Sequence, residues 1–303
     1  MRILFVSPYI PSLIRVRPYN ILRALVERGH HVTLLALKPP GDQGEALGEL
    51  RQLCEAVYVV EHSKAQTLIN GLLALPGDLP IQAAYSRSSA FAAAAKTVLG
   101  RGQFDVAHVE HLRGAVLAES LGNLPVVFDS VDSISLLFGK VLQDAPSLKS
   151  RLMATLDLSR TKRFEGQLTT RFKQVAVTSE ADRAALIDLG SDGARITVIT
   201  NGVDLDYFQP QAVERDPLRL VFSGKMSYHA NVAAVEDLVL KMMPLVWTKQ
   251  PKAHLVIVGK DPAPAVVALG EQPNVTVTGS VPDLRPYLAE AAAAISTVRY
   301  GVG

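Results

Sequence analysis

Cysteine is almost missing: Cys54 is the only one in 303 residues. One thiol excludes an intramolecular disulfide and any cysteine-built metal cluster, and fits a reducing compartment. Its expected place is a small core position. Long apolar runs are missing too, since no stretch approaches the roughly 18 residues needed to span a bilayer. The start, MRILFVSPYIP, has one basic residue and about four apolar ones, too short for a signal-peptide core. Neither sign of charge dominates: 31 basic and 29 acidic residues leave a net +2. Charge balance therefore gives no reason to expect a polyanion such as nucleic acid, and any anion site must be local. The glycine fingerprints GxGxxG and GxxxxGK[ST] are not found, nor is a ribose-binding acid identifiable, so hydride transfer and nucleoside triphosphate hydrolysis are poorly supported.

What is present is an ordinary globular composition, 48% hydrophobic and 20% charged, on a chain long enough for about two domains. Ile3–Val6 is a continuous apolar run. Pro18 to Gly29 follows with Leu22, Leu25 and Val26 at helical spacing, a proline suited to a first turn and a glycine suited to a stop. Val32–Leu37 is apolar again, so strand, helix and strand fall within forty residues, the pattern of a parallel βαβ unit. Further strands are expected at Val57–Val60, Val106–Val109, Val126–Phe128, Val175–Thr178 and Ile196–Ile199. Their apolar continuity implies cover on both faces, hence a doubly wound α/β sheet.

Residues 205–217 carry two prolines, four charges and no periodicity, and read as a linker between a first domain, 1–204, and a second, 218–303. The alternation then restarts. Strands are expected at Leu218–Phe222, His254–Val258, Val275–Thr278 and Ala294–Val298, and helices at Asn231–Trp247 and Pro282–Ala293. The end, Arg299-Tyr-Gly-Val-Gly303, reads as the way into a loop and helix, so the second domain is expected to be incomplete.

Ligands of open parallel sheets bind beyond the carboxyl ends of the strands. Two such sheets would face each other across a cleft, an arrangement suited to a two-substrate reaction. In FSGKMSYHANV, Gly224 allows close backbone approach, Lys225 brings charge, and Asn231 can cap a helix whose N-terminus is partially positive. Taken alone, a simple turn with a solvated lysine is the favoured reading. Gly259-Lys260 after the next strand repeats the arrangement and shifts the balance toward a diphosphate cradle.

In the first domain His108, Glu110 and His111 follow Phe104-Asp105-Val106, at the C-terminal end of a strand. A metal reading needs a further ligand at a fixed spacing, and none is evident. Glu110 and His111 are candidates for contact with a hydroxylated substrate, while His108 is evenly balanced between that and a structural role. The run Asp129-Ser-Val-Asp-Ser133 could orient sugar hydroxyls or cap the next helix, and Ser179-Glu180 carries the same ambiguity. Arg15 and Arg17 lie in the loop after the first strand, either reaching an anionic acceptor or solvated. Leu68–Leu75 could pack in the core or lie against lipid, and core packing is the expectation.

The segments RGHHVTLL, FDVAHVEHLRG, VAVTSEADR, VITNGVDLDYF, FSGKMSYHANVAAVEDL, HLVIVGKDP and NVTVTGSVPDLRPYLAEA, in this order, resemble the family-4 retaining glycosyltransferases of GT-B fold. A softer likeness points to bacterial transferases that build exopolysaccharide. The resemblance implies two Rossmann-like domains and transfer of a sugar from a nucleotide-diphosphate donor to a hydroxyl acceptor with retention, and implies no metal or other cofactor. It implies that Gly224 and Lys225 stand beside the diphosphate, Gly259 on the nucleotide side, and Val281, Pro282 and Leu284 along the base. The acceptor, a glycan or lipid-linked sugar, is implied in the first domain near Arg15, Arg17, His108 and Asp129. A cytoplasmic location with peripheral contact at the inner membrane face is compatible with this, and nucleic acid is not an implied partner.

Three departures stand out. The family's first loop has a Gly-Gly pair where this chain has Pro8-Tyr-Ile-Pro-Ser-Leu-Ile-Arg15. In place of H-x-H, the sequence HVEH leaves Glu110 or His111 as the group near the reacting sugar. The acidic segment that grips the donor sugar is expected beyond Arg299–Gly303. Alternative readings are a non-catalytic nucleotide-binding module or fragment, and a sugar epimerase of the same fold.

Overall fold

Seven apolar runs pair, all in parallel, as one sheet: β1 (Arg2–Ser7), β2 (His31–Lys38), β3 (Ala56–Glu61), β4 (Val106–Glu110), β5 (Val126–Val131), β6 (Gln174–Val177) and β7 (Ile196–Val198), in the order β3-β2-β1-β4-β5-β6-β7. Residues Ile3 to Val6 and Val32 to Leu37 are buried because helices cover the sheet. Tyr19 and Leu22 of the helix Val16–Glu27 pack with Phe5 and Leu34, and Gly29, at φ 79°, turns the chain out of that helix into β2. The strand order reverses between β1 and β4, so the crevice beyond their carboxyl ends is the switch point where such sheets take ligands.

Four more parallel strands, β8 (Asp216–Ser223), β9 (His254–Val258), β10 (Val275–Gly279) and β11 (Ala291–Ala294), form a second sheet in the order β10-β9-β8-β11. Its order reverses between β8 and β11. The computed structural model describes residues 1–144 and 148–298, and the two sheets belong to separate compact units, residues 1–202 and the residues from Val203 on. Among the described residues no helix is long and apolar enough to cross a membrane.

Three expectations are corrected. The helical run expected from Asn231 to Trp247 extends from His229 to Lys249 and is interrupted by a π turn at Leu238–Met242. Pro244 explains the interruption, because its ring removes an N–H and crowds the carbonyl one turn back. The helix expected over Pro282–Ala293 is confined to Arg285–Glu290, and the last strand is Ala291–Ala294 rather than Ala294–Val298. Alanine favours helix locally, but pairing of Ala293 with Leu220 and Ala294 with Val221 outweighs that preference.

The third concerns Leu68–Leu75. In the helix Lys64–Ala74 the buried face is Asn70, Gly71 and Ala74, whereas Leu68, Ile69, Leu72 and Leu73, with Leu75 just beyond, are exposed. Small residues let this helix approach Tyr85 closely, since a Cβ on Gly71 would come within 2.7 Å of its ring. Asn70 also donates to the carbonyls of Tyr85 and Arg87. The face of small residues that carries Asn70 is inward because Asn70 has partners there. Arg299–Gly303 lies outside the described residues.

Candidate functional site

In the first unit the chemistry gathers where β1, β4 and β5 end. Phe5 pairs in register with His108, and their rings stack at 4.4 Å. Glu110 lies beside Asp129 in the adjoining strand. His108 Nε2 is 3.2 Å from Glu110 Oε2, while Glu110 Oε1 is buried with no hydrogen-bond partner among the described residues. A buried, half-satisfied carboxyl resists ionisation, so desolvation raises the Glu110 pKa against the lowering effect of the His108 bond.

Asp129 supplies the third group that spacing along β4 does not reveal: one ligand-type atom from each of His108, Glu110 and Asp129 falls within 4.8 Å of the others. Asp129 is already neutralised. Arg17 Nε and Nη2 donate to its two oxygens at 3.0 and 3.2 Å, and the Val131 N–H adds 2.9 Å. Arg17 Nη1 donates to the Ile199 carbonyl at 2.7 Å and to Asn201 Oδ1 at 3.1 Å. Arg17 and Asp129, expected beside an acceptor, have their polar atoms paired with one another and with backbone, and Arg17 braces the end of β5 against the Ile199–Asn201 segment. It sits in the first turn of a helix, not a loop. Arg15 is neither free nor merely solvated, since it pairs with Asp42 at 2.9 Å and lies 4.5 Å over the Tyr9 ring.

His111 begins a short helical turn with φ 65°, and Val131 at the end of β5 has the same φ. Left-handed backbone is unfavourable at such residues and concentrates at functional positions. The Arg113 N–H donates to His111 Nδ1 at 3.2 Å, which requires an unprotonated Nδ1 and leaves the proton on Nε2. Desolvation, and then the Arg113 guanidinium, push the His111 pKa down to about 3, so the ring is neutral at physiological pH. Tyr9 approaches this ring edge-on at 6.2 Å, and burial raises its phenol well above the usual range.

The helix after β5 is capped by Ser133, whose Oγ accepts the Leu136 N–H, with Glu165 taking the Ile134 N–H at 2.6 Å. Asp132 instead accepts from Thr178 Oγ, and Ser179 caps the helix Glu180–Asp188. Sequence reasoning missed Tyr9, Arg113 and the groove residues His62, Lys64, Tyr85 and Ser86. Only Arg113, two positions after His111 beyond a strand end, carried a sequence signal.

In the second unit Gly224 ends the loop-side of β8 and Gly259 that of β9. A Cβ on Gly259 would lie 1.7 Å from the Gly224 carbonyl oxygen, and one on Gly224 would lie 2.7 Å from Asn231 Nδ2. The two loops are one hydrogen-bonded layer, with Met226 N–H on the Lys260 carbonyl at 3.0 Å and Ala263 N–H on the Met226 carbonyl at 3.1 Å. Asn231 is not the helix cap expected. Tyr228 holds that position, and Asn231, two residues into the helix, donates to the Lys225 carbonyl at 3.1 Å. Lys225 itself is half-exposed, with Nζ 4.0 Å from Asp261, an ion pair of little worth in solvent and easily exchanged for a ligand. Val281 and Leu284 pack on the small core cluster of Val221, Val256, Val258 and Ala291.

Two parallel-sheet α/β units, each with its polar groups at a switch point, define the GT-B class. Residues 15–207 match the family model Glycosyltransferase Family 4, and residues 217–303 match Glycosyl transferases group 1. The chain belongs to Glycosyltransferase Family 4. Among solved structures, Anabaena Alr3699/HepE in complex with UDP is similar with a TM-score of 0.59 and 14% identity, covering 97% of this chain and 73% of its own. A putative UDP-N-acetylglucosamine 2-epimerase from Listeria monocytogenes gives 0.55 and 13%, covering 97% and 73%, and Phytolacca americana UGT2 complexed with UDP-2fluoro-glucose and pterostilbene gives 0.51 and 13%, covering 97% and 74%. At these identities the likeness concerns the fold. No curated protein sequence matches the chain.

Proposed function

We propose that the chain transfers a hexose from a nucleotide-diphosphate sugar to a hydroxyl acceptor with retention, in the assembly of a cell-surface or exopolysaccharide glycan at the cytoplasmic face of a membrane. The observation that carries this reading is the interlocked Gly224–Gly259 layer, which presents Lys225 at the switch point of the second sheet. There the lysine and the N-terminus of the helix His229–Asp237 meet the diphosphate.

In the reaction the acceptor oxygen bonds to the anomeric carbon as the bond from that carbon to the diphosphate oxygen breaks, on the same face. The acceptor proton passes to the leaving phosphate. Charge develops on the diphosphate, and Lys225 is placed to stabilise it electrostatically. In the first unit the unpartnered Glu110 Oε1 and the His111 Nε2–H are the free acceptor and donor for sugar hydroxyls. No dedicated cofactor is part of the scheme, and the nucleotide sugar is a substrate. Lys225→Ala is expected to cut turnover about a hundredfold or more, the scale of losing one oxyanion donor, with acceptor binding little changed. Unchanged turnover removes Lys225 from the mechanism. Calorimetry with uridine, guanosine and adenosine diphosphates identifies the base.

A further inference from the structure

Beyond the ends of β1, β2 and β3 lies an open groove of about 500 Å³. Pro8, Pro39, Pro40 and Leu68 form apolar walls, and Lys64 and Arg113 are its charged members, with no carboxylate in the lining. Among the described residues neither cation pairs with an acid; the Arg113 guanidinium lies 5.9 Å from the centre of the Tyr85 ring. Lys64 is also misplaced for its own helix. It occupies the first turn of Lys64–Ala74, a turn with no acidic residue, where the helix dipole opposes a positive charge. Two uncompensated cations and a helix N-terminus around one apolar-walled groove are complementary to an anion attached to something apolar.

The same helix says what the apolar part is. Leu68 lines the groove and begins an exposed stripe continued by Ile69, Leu72 and Leu73, which are 65, 49, 57 and 69% exposed. Contiguous exposure of this kind on a soluble surface marks a docking face. An exposed apolar helix face with a cation at its end is a surface that can rest in the plane of a bilayer interface.

We infer that the groove receives the phosphate of a lipid-linked acceptor while the helix Lys64–Ala74 rests on the membrane that carries it. The identification of this lipid as the acceptor rests on the transferase reading above; the lipid binding does not.

Sedimentation of the chain with phosphatidylcholine vesicles, alone or containing phosphatidic acid or phosphatidylserine at matched net charge, tests it without any nucleotide sugar. Binding is expected to be strongest with phosphatidic acid. Leu72→Asp with Leu73→Asp, both at exposed positions, should abolish it while the thermal melt is kept. Arg113→Gln and Lys64→Gln should each weaken it about fivefold, the scale of one basic residue at an anionic surface, and erase the preference for the phosphate monoester. Absence of vesicle binding, equal response to the two anionic lipids, or indifference to both cation variants overturns the inference. So does self-association abolished by the Leu72/Leu73 variant, which would assign the stripe to a second copy. Transfer to a water-soluble glycan without vesicle binding would sink the lipid site and leave the transferase reading standing, and vesicle binding without transfer would do the reverse.

Discussion

Gly259 lies so close to Gly224 that any side chain on it would meet a carbonyl: its Cβ would come within 1.7 Å of the Gly224 oxygen and 2.9 Å of the Gly224 carbonyl carbon. Backbone cannot fold away as a side chain can, and Met226, fully buried, is tied to both loops. The glycines at these strand ends therefore serve each other before they serve a ligand. Gly259→Ala is expected to cost about 2–3 kcal/mol through overpacking and to weaken nucleotide binding by displacing Lys225. Gly139→Ala, in the middle of the helix Ile134–Asp144, is the control. Nothing lies within 4 Å of its added Cβ, so a helix-interior gain of about 0.5–1 kcal/mol is expected. Urea unfolding of both variants reads the difference, and a neutral Gly259→Ala would mean that the layer is not interlocked.

The inner strands were legible because they are buried on both faces, so the apolar runs of β1, β2 and β9 mark themselves without any partner being known. What long-range pairing decides was not. Ala291–Ala294 became strand only because β8 lies beside it, and Arg17 found Asp129 across 112 positions of sequence. Asn231 looked like a cap because the length of the preceding loop, which starts the helix at His229, is not written in residue type. The apolar stripe at Leu68–Leu73 misled for a related reason. Helical spacing shows that a face exists, but Asn70 and Gly71, which have partners inside, decided which face turned inward. In the first unit the strand-end rule located His108, Glu110 and His111, while the free oxygen of Glu110 and the occupied ones of Asp129 required coordinates.

Arg17 and Asp129 are 9 and 0% exposed. Removing one partner of such a pair leaves the other's charge buried, and Arg17→Met is expected to lower stability by about 3–5 kcal/mol. The double variant Arg17→Met, Asp129→Leu should recover much of the loss, because no charge is left to desolvate. Denaturant titrations of the single and double variants check this. A single variant within about 0.5 kcal/mol of the parent, the range of an ordinary surface change, would show that the pair is not desolvated.

Asp132 carries a stability cost that depends on pH. Burial pushes its pKa from 3.8 up to about 6, against the lowering effect of the Thr178 hydroxyl. The unfolded chain loses this proton near pH 4 and the folded protein only near pH 6, so the penalty is absent below the first value, grows between them, and is constant above the second. Asp132→Asn keeps an oxygen for Thr178 and removes the penalty. It should stabilise the protein by up to about 3 kcal/mol at pH 7.5, the equivalent of the shift, and by nothing at pH 3.5. A gain that does not change across that window would have another origin.

His111 separates stability from function most clearly. Its left-handed backbone costs roughly 1–2 kcal/mol at a residue with a side chain, and its depressed pKa adds an acid-side penalty with the opposite sense to that of Asp132. Between pH 6.5 and about 3 the unfolded imidazole binds a proton that the folded one refuses, so stability falls as pH drops through this window. At pH 5 the deficit amounts to about 2 kcal/mol. His111→Gly should remove both costs, leaving a more stable protein whose advantage is larger at pH 5 than at pH 8. Sugar transfer should nevertheless fall about tenfold or more, the worth of a lost hydrogen bond to the substrate. Because the ring is neutral throughout, the kcat/KM profile should show no ionisation near 6.5 that disappears with His111. Such a limb, present in the parent and absent in His111→Gly, would mean that the imidazole works as a titrating acid or base rather than as a fixed N–H donor.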